Sequence, residues 1–429
     1  MLLPLADLMQ SPDYQEPLRP QFHFTAKRGW LNDPNGLVYA KGEYHLFFQH
    51  NPFGTNWGNM TWGHAVSKDL VHWKQLPNAI EPDDRGTIYS GSAVTDPSNT
   101  SGLEADLIAL YTSAGGNNDA SKGKPFTQSL AFSRDNGRTW TKHPRPIIGH
   151  IEAENRDPKV DWHEPTKHWI MALYLNRDDF AIFRSRNLVD WQETQRVSFP
   201  GSNECPDFFE MNVEGSRERK WVFTGANGRY WVGSFDGMQF RPEQEPLQVE
   251  FGANNYAVQS YYGLPQGRRV QIGWMRDGHY PNMPFNQQMT FPCDLTLKKV
   301  NGLFRLHRFP VKEIESIWTK GDAPGDLLDL ECSFKIGKSV TRVNVNGVTV
   351  SFDPATSILS VLGRGAYLEP EKGRLSLRML VDRTSIEVFG NGGRVSLSMC
   401  KQPSTPSKPS VEGANEVKIA TRVLRSAWR

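Results

Sequence analysis

Short apolar runs bounded by glycine, asparagine, aspartate and proline dominate the hydrophobic and polar pattern of this chain. Examples are "GLVYAKGEYHLFFQ" (36–49), "KWVFTGANGRYWVGSF" (220–235) and "RRVQIGWM" (268–275). Their length and their content of β-branched and aromatic residues are typical of strands separated by turns. The 3.6-residue periodicity of an amphipathic helix is not convincing anywhere. The pattern therefore predicts an all-β protein.

One phrase recurs within this pattern. It reads "SKDLVHW" from residue 67, "SRDNGRTW" from 133, "SRNLVDW" from 185 and, in degenerate form, "SFDGMQF" from 234. The starts are 66, 52 and 49 residues apart, a spacing that suits one four-stranded propeller blade per repeat. Each phrase has a serine that ends a strand, a polar turn, and an aromatic residue that would pack between neighbouring blades. Four phrases by about residue 240, with strand-like sequence continuing to about 297, predict a five-bladed β-propeller.

The pattern changes from about residue 320. Alternating strands such as "TRVNVNGVTVSFDP" and "GRLSLRMLVDRTSIEVFGNGGRVSLSM" are separated by tight Gly, Asn and Asp turns, which is typical of a β-sandwich. We predict an N-terminal extension over 1–20, a propeller over 21–300, a linker over 301–319 and a C-terminal β-sandwich over 320–429. The linker segment "LHRFPVKEIESIW" is a candidate for a short helix.

Composition limits the classes of function. The chain has 429 residues, 38% hydrophobic content and a formal net charge of +2, and it has no run of like charges. These values are typical of a soluble globular protein of two or three domains and do not favour a nucleic-acid or membrane partner. The four cysteines are widely spaced without a C-x-x-C pair, so isolated thiols or one disulfide both fit. The start, "MLLPLADLMQ", lacks a basic region and carries an aspartate, so it is a poor signal peptide.

The stretch "WLNDPNG" (30–36) has turn chemistry, because Asn and Asp bond their own backbone, Pro fixes φ and Gly accepts positive φ. We predict a turn here that would carry Asp33 to the mouth of the propeller. Asp157 in "ENRDPKVDW" and Glu204 in "NECPDFFE" lie in similarly elaborate motifs, in the predicted third and fourth blades. Residues from distant blades can meet at the centre of a propeller, and glycoside hydrolysis needs such a set of carboxyl groups.

Four segments in order, "HFTAKRGWLNDPNGLVYAKGEYHLFFQHNPFGTNWGNMTWGHAVSKDLVHW", "IYSGSAV", "NRDPKV" and "ECPDFFE", resemble the invertase, inulinase and levanase family, glycoside hydrolase family 32. The likeness runs from about residue 21 to 275, and "SIEVFGNGG" resembles the C-terminal sandwich of that family. The resemblance implies a five-bladed propeller joined to a β-sandwich and retaining cleavage of β-fructofuranosides, with no cofactor and no metal.

The resemblance also implies roles for the three carboxylates. Asp33 would be the nucleophile that attacks the anomeric C2 of fructose, and Glu204 the acid that protonates the leaving oxygen and then activates water. Their carboxyls should lie about 5 to 5.5 Å apart, a proximity that favours a proton on one member of the pair. Asp157 would hold fructosyl hydroxyls and stabilise positive charge on the ring.

The same matching gives a set of residues that would line the fructose pocket: Asn32, Gln49, Trp57, Tyr89, Ser90, Arg156 and Trp274. The Arg156 guanidinium would keep its neighbouring carboxylates charged and oriented. Trp57 and Trp274 could equally serve as blade packing. His163, His168, Asp161 and Glu164 do not have the spacing of a known metal site, so we expect salt-bridged loop residues there.

Four positions depart from the usual family pattern and affect the expected leaving-group preference: Tyr89, Asn155, Asn203 and Asn254, the last standing where an acid is common. The segments "WGNMTWGHAVSKDLVHW" and "RDPKVDWHEPTKHWIMAL" look most like exo-acting inulinases and levanases. We therefore predict release of terminal fructose from levan or inulin, with sucrose also cleaved. Sucrose or sucrose 6-phosphate as the main substrate is the nearest alternative.

Rivals from other classes are a fructosyltransferase, a non-catalytic fructan-binding protein and an inverting arabinan-type propeller enzyme. A polymeric substrate favours a secreted or periplasmic enzyme, whereas the weak signal sequence speaks against export. The sequence leaves the oligomeric state open.

Overall fold

The computed structural model describes residues 13–320 and 325–428. Strands dominate, and the helices among the described residues are three short 3-10 turns, at Asp119–Ser121, Pro265–Gly267 and Lys312–Ile317. The all-β prediction is confirmed. The candidate signal segment "MLLPLADLMQ" lies outside the described residues.

The first two blades follow each other in the chain. The first contains β1 (Gly29–Ala40), β2 (Glu43–Asn51), β3 (Thr61–Ser67) and β4 (Trp73–Ile80) in antiparallel order. The second contains β5 (Thr87–Val94), β6 (Leu107–Ala114), β7 (Thr127–Ser133) and β8 (Thr141–Lys142). Each blade is therefore a meander of four neighbouring strands.

The remaining three blades repeat this plan with small additions. The third has β9 (Arg156–His163), β10 (His168–Asn176), β11 (Asp179–Ser185) and β12 (Trp191–Ser198). The fourth has β13 (Asp207–Asn212), β14 (Arg219–Thr224), β15 (Arg229–Phe235), β16 (Phe240–Pro242) and β17 (Leu247–Gln248). The chain continues with β18 (Asn255–Ser260), β19 (Val270–Met275), β20 (Phe285–Asn286), β21 (Gln288–Met289), β22 (Cys293–Val300) and β23 (Leu303–Pro310). The fifth blade takes all of these except β20, which pairs in parallel with the start of β1.

The five blades close into a ring through their first strands. Strand β1 contacts β5, β5 contacts β9, β9 contacts β13, β13 contacts β18, and β18 contacts β1 again. The predicted five-bladed propeller is confirmed. Because every blade contributes its first strand to the centre, residues from distant parts of the sequence share one funnel.

The recurring phrase forms the turn between the third and fourth strands of a blade. In three blades the serine hydroxyl bonds the polar residue two positions on: Ser67 with Asp69, Ser133 with Asp135 and Ser185 with Asn187. The tryptophan indoles donate to carbonyls within the same turn: Trp73 to Leu70, Trp140 to Gly137 and Trp191 to Leu188. Trp140 also packs edge-on against Phe47 of the preceding blade, with ring centroids 5.5 Å apart. The phrase is thus a closed turn that fixes an aromatic ring between blades.

Two five-stranded sheets form the C-terminal sandwich. Its strands are β24 (Leu328–Lys335), β25 (Thr341–Val345), β26 (Val348–Asp353), β27 (Ile358–Val361), β28 (Arg364–Tyr367), β29 (Arg374–Val381), β30 (Ser385–Gly390), β31 (Val395–Cys400), β32 (Ser410–Glu412) and β33 (Asn415–Val423). One sheet has the order β31-β30-β29-β24-β33 and the other β28-β27-β26-β25-β32. The core between them is aliphatic, as in Val343, Leu377 and Val388. The predicted sandwich is confirmed.

The propeller and the sandwich share a buried apolar cluster. Phe22 and Phe24, from the segment before β1, pack there with Phe291, Leu380 and Leu424. The backbone closes the same seam, because the amide of Ala427 donates to the carbonyl of Gln21 at 2.8 Å. Residues before the first blade are therefore held by residues of the sandwich.

A network of buried charges lies in the same interface, which we call the interface network: His23, Glu250, Arg308, Asp382 and Glu387. The two ring nitrogens of His23 lie 2.9 Å from Asp382 Oδ2 and 2.9 Å from Glu387 Oε2. The Arg308 guanidinium lies 3.3 Å from Glu250 and 3.4 Å from Glu387. Each buried charge has an oppositely charged partner, as burial of charge requires.

Residues 301–319, the predicted linker, include β23 and the 3-10 turn Lys312–Ile317, so the helix expected in "LHRFPVKEIESIW" is limited to that turn. The predicted domain boundaries stay a prediction. All four cysteines are free thiols, three of them buried. Within the described ranges, no helix is long and apolar enough to cross a membrane.

Candidate active site

The stretch "WLNDPNG" is not a turn, and that prediction is wrong. It lies inside the continuous strand β1 (Gly29–Ala40), which pairs with β2 along its length. Its register slips between Leu31 and Pro34, so Asn32 and Asp33 together oppose the single residue Gln49. A β-bulge of this kind re-aims a side chain without ending the strand, and it tolerates the proline that a regular ladder would not. The bulge points Asp33 at the funnel.

The first strands of two other blades also contain a β-bulge. Strand β5 has an extra residue between Tyr89 and Gly91, and this residue is Ser90. Strand β9 slips between Arg156 and Lys159, and Asp157 in that interval has φ of +64°. Positive φ is rare for a residue with a side chain and is held only where the surroundings impose it. Bulges on three blades thus bring Asp33, Ser90 and Asp157 to one place.

Glu204 reaches the site by a different local geometry. It lies just before β13, and both Glu204 and Cys205 have positive φ, +28° and +42°. The backbone amide of Ala226 donates to the carbonyls of Asn203 and Glu204 at 3.2 and 3.1 Å. These bonds hold the strained peptide in place, so the Glu204 carboxyl is mounted on a fixed corner of the fourth blade.

Both carboxylate oxygens of Asp33 accept hydrogen bonds. The Ser90 hydroxyl donates to Oδ2 at 2.6 Å, and the Asn32 amide donates to Oδ1 at 3.1 Å. The Cys205 thiol lies 3.7 Å from Oδ2. Burial raises the pKa of Asp33, the Ser90 bond opposes that rise, and the nearby charge of Glu204 adds to it. The Asp33 carboxylate is therefore held in one orientation, but its hydrogen bonds do not cancel the effect of burial on its pKa.

Asp157 is more deeply buried, and it shares the same thiol. Its Oδ2 accepts from the backbone amide of Cys205 at 3.0 Å and lies 3.4 Å from the Cys205 sulfur. Burial raises the pKa of Asp157 to about 7, against the attraction of Arg156, and the charges of Glu204 and Asp33 raise it further. The Cys205 sulfur therefore lies within 3.7 Å of a carboxylate oxygen of each aspartate.

The Glu204 carboxyl lies between a cation and a phenol. Arg156 Nη2 donates to Oε2 at 2.7 Å, and the Tyr256 hydroxyl donates to Oε1. The Asn203 side chain donates in turn to the Tyr256 oxygen at 2.9 Å. Arg156 Nε also lies 3.8 Å from Asp157, so one guanidinium serves two carboxylates. Despite its burial, Asp157 and Glu204 raise the pKa of Arg156, which stays charged.

The remaining predicted pocket residues surround this cluster. Trp57 is 55% exposed and meets the Tyr89 ring edge-on at 6.1 Å, so it is not blade packing. Trp274 is half-buried against the interface core and lies edge-on to Trp30 at 6.1 Å. In the described part of the chain, the buried Nε2 of Gln49 has no hydrogen-bond partner. A donor in this position is free to bind a sugar hydroxyl.

Sequence reasoning missed Tyr256 and the role of Cys205. Both lie in segments that the sequence singled out, "FGANNYAVQ" and "NECPDFFE", but their contacts depend on how two blades meet. Asn254, which stands where an acid is common in the family, has two backbone partners. Its side chain donates to the Arg276 carbonyl at 2.7 Å and accepts from the Cys400 amide at 2.8 Å. It joins the propeller to the sandwich.

The four residues considered for a metal have protein partners instead. His163 and His168 each have a ring nitrogen at hydrogen-bond distance from Thr166. Asp161 pairs with Arg269 at 3.1 Å, and Glu164 pairs with Lys167. The expected salt bridges of the two acidic residues are confirmed.

Known proteins resemble this chain in sequence and in structure. Residues 23–306 match the glycosyl hydrolases family 32 N-terminal domain, and residues 311–412 match the glycosyl hydrolases family 32 C-terminal region. A levanase of Bacillus subtilis (strain 168) is 36% identical over 99% of this chain and 73% of its own length. An extracellular exo-inulinase of Aspergillus ficuum is 30% identical over 99% of this chain and 98% of its own. The crystal structure of an exo-inulinase from Aspergillus awamori superposes with a TM-score of 0.89 and 28% identity, covering 97% of this chain and 100% of that one.

Proposed function

Because this chain belongs to glycosyl hydrolase family 32, we propose that it is a retaining hydrolase that releases terminal β-D-fructofuranosyl units from fructans and from sucrose. The observation that carries the proposal is the arrangement of Asp33, Asp157 and Glu204. They come from three blades and converge on one thiol, Cys205, and one guanidinium, Arg156. Paired carboxyl groups are the equipment that glycoside hydrolysis requires.

Asp33 is the nucleophile in this proposal. Ser90 and Asn32 hold its two oxygens, which fixes the direction in which the carboxylate can attack. In the first step a bond forms between an Asp33 oxygen and the anomeric C2 while the bond from C2 to the leaving oxygen breaks. Glu204 gives its proton to that leaving oxygen, so the leaving group departs as a neutral alcohol.

Glu204 then works in the opposite direction. It takes a proton from a water molecule, the water oxygen bonds to C2, and the ester to Asp33 breaks to release fructose. Glu204 is reprotonated and Asp33 is ionised again, so the site returns to its starting state. The predicted separation of about 5 to 5.5 Å between the two carboxyls belongs to this proposal.

Asp157 and Arg156 complete the chemistry. The buried Asp157 carboxylate lies where positive charge develops on the sugar ring, and low polarity strengthens that attraction. Arg156 contacts both Asp157 and Glu204, so it orients the two groups relative to each other. Asn32, Gln49, Trp57, Tyr89, Ser90, Arg156 and Trp274 form the fructose pocket.

Fructans are the proposed main substrates, with levan and inulin as candidates. Two similar proteins are named levanase and extracellular exo-inulinase, and each match covers 99% of this chain. The exo-inulinase is also called extracellular, and we propose that this enzyme likewise acts outside the cytoplasm, where a polymeric substrate is found.

Initial rates on levan, inulin, sucrose and sucrose 6-phosphate test the substrate proposal. We expect free fructose from at least one polymer at a rate comparable with that from sucrose. Absence of free fructose from both polymers would contradict the fructanase assignment and leave the invertase or sucrose-6-phosphate hydrolase alternative. Growth of trisaccharides at high sucrose concentration would identify a transferase.

The stereochemistry has its own test. Following freshly released sugar by NMR, we expect β-fructofuranose before mutarotation, because two successive displacements at C2 retain configuration. The α anomer as first product would exclude the covalent route through Asp33.

A further inference from the structure

Among the large hydrophobic side chains of the described residues, Phe53 is the most exposed, at 83%. It belongs to the connection between β2 and β3, residues 52–60, which we call the aromatic loop. Trp57, four positions further along, is 55% exposed. Large apolar rings are usually buried in part, so two such rings on one loop mark a contact surface.

The aromatic loop is held in shape by one buried side chain. Asn51 Oδ1 accepts from the backbone amide of Phe53 at 3.1 Å and from the Asn59 side chain at 3.5 Å. Asn51 Nδ2 donates to the carbonyl of Asn56 at 2.8 Å. The loop is bound from within at three points, so the exposure of Phe53 is imposed by its backbone.

Hydrogen bonds also connect the loop to the rim of the pocket. Asn286 donates to the carbonyl of Thr55 at 2.8 Å and accepts from Gln287 at 3.0 Å. Gln287 accepts from the Trp274 indole at 3.1 Å. On its other side, the loop reaches Tyr89 through Trp57, next to the Ser90 that bonds Asp33. Phe53 therefore belongs to a loop that spans two walls of the fructose pocket.

We propose that Phe53 is a stacking platform for a fructan chain, at the fructosyl units beyond the one that follows the cleaved bond. The inference rests on the proposed exo-fructanase function. When the terminal fructose lies at Asp33, the rest of the polymer must leave through the mouth of the pocket, where the aromatic loop lies. A phenyl ring offers no hydrogen bond and fits the apolar C–H face of a furanose. Sucrose has one ring after the cleaved bond and does not reach this platform.

Phe53→Ala tests the platform, with Tyr367→Ala as the matched control. Tyr367 ends β28 in the sandwich and is 59% exposed, so it is also an exposed aromatic residue outside the site. For Phe53→Ala we expect kcat/KM on levan or inulin to fall about three- to tenfold, the size of one stacking contact, and that on sucrose to change less than about twofold. Phe53→Trp should retain the polymer activity. Tyr367→Ala should change neither value.

An equal effect of Phe53→Ala on polymer and sucrose, or no effect on either, would overturn the proposal. So would the same loss of polymer activity in Tyr367→Ala. Failure of the proposed function looks different, because the parent enzyme would then release no fructose from the polymers at all.

A binding measurement tests the platform independently of whether the enzyme hydrolyses fructans. In the Asp33→Asn background, calorimetry with sucrose and with an inulin oligosaccharide of about five units measures affinity without turnover. We expect Phe53→Ala to weaken the oligosaccharide about three- to tenfold and to leave sucrose unchanged. Unchanged oligosaccharide affinity would refute the platform, whatever the enzyme hydrolyses.

Discussion

The protein buries groups of carboxylates in two places, and the two groups differ in how their charge is balanced. In the interface network, Asp382 and Glu387 share His23, and Arg308 adds a second cation. In the active site, Asp157 and Glu204 share Arg156, whereas Asp33 is held by two uncharged side chains, Ser90 and Asn32. The interface network has two cations for three carboxylates, and the active site has one cation, Arg156, for three.

The pKa values follow this difference. Burial alone would raise the pKa of Asp382 and of Glu387, but the bonds from His23 bring both below their ordinary values. Burial raises the pKa of Asp33 and Asp157, and their hydrogen bonds and the attraction of Arg156 do not reverse it. With two cations close by, the carboxylates of the interface network stabilise the fold as ions. The raised pKa values of Asp33 and Asp157 fit the proton exchange and the binding of positive charge that we propose for the active site.

The largest effect is expected from a substitution in the active-site group. Asp33→Asn keeps the shape of the side chain and removes the proposed nucleophile, so kcat on sucrose should fall by about 10⁴-fold or more. The melting temperature should be unchanged or higher, because an uncompensated buried charge is lost. Activity within tenfold of the parent enzyme would refute the role of Asp33.

The next largest effect is expected from a substitution in the interface network. Arg308→Met leaves Glu250 and Glu387 without their guanidinium, and we expect the free energy of unfolding to fall by about 3 to 5 kcal/mol in urea titration. The activity of the folded fraction should persist. Arg374→Met is the control, since its partner Glu416 is 58% exposed and such surface pairs contribute little to stability. Equal losses from the two variants would contradict the distinction.

A pH titration sharpens the comparison. The partners of His23 raise its pKa to about 9 against burial, from an ordinary 6.5. A raised pKa means that the stabilisation is fully present below pH 6.5 and is lost as pH rises through about 9. We expect about 1 to 3 kcal/mol of unfolding free energy to disappear over this range in the parent protein. His23→Gln should flatten that slope, and an unchanged slope would show that other groups cause it.

The smallest effect concerns one hydrogen bond in the active site. The Ser90 hydroxyl stabilises the ionised form of Asp33, so Ser90→Ala should raise the pKa of Asp33 further. The acidic limb of kcat/KM on sucrose should then move to higher pH by about 0.5 to 1 unit, since a hydrogen bond contributes about 1 kcal/mol. Ser129→Ala, which removes a buried hydroxyl of the same blade that bonds Ser113, should leave the limb in place. A shift to lower pH would contradict the assignment.

Much of the architecture could be predicted because its sequence signals depend on contacts within short stretches of the chain. The serine, polar turn and aromatic residue of "SKDLVHW" close on themselves within seven residues, so the repeat is visible without knowledge of the fold. The motifs around Asp33, Asp157 and Glu204 are equally local, which is why these carboxylates could be found.

What escaped prediction depends on pairing between distant strands. "WLNDPNG" contains turn residues, but the ladder with β2 holds it extended and converts the same residues into a bulge. His23 and Asp382 are 359 residues apart, and single-sequence patterns carry no sign of their contact. The contact of Tyr256 with Glu204 likewise exists only because the fourth and fifth blades meet.

The contacts between the segment before β1 and the sandwich can form only late in the synthesis of the chain. The amide of Gln21 donates to a carboxylate 361 residues further along, so a ribosome must pass Asp382 before the segment that leads into β1 has this anchor. Until then Phe22 and Phe24 lack the part of their cluster that the sandwich supplies, such as Leu380 and Leu424, and exposed apolar surface favours aggregation or chaperone binding. Contacts of such long sequence separation also form slowly. The segment before β1 thus reaches its final contacts only after Asp382 of the sandwich has been made.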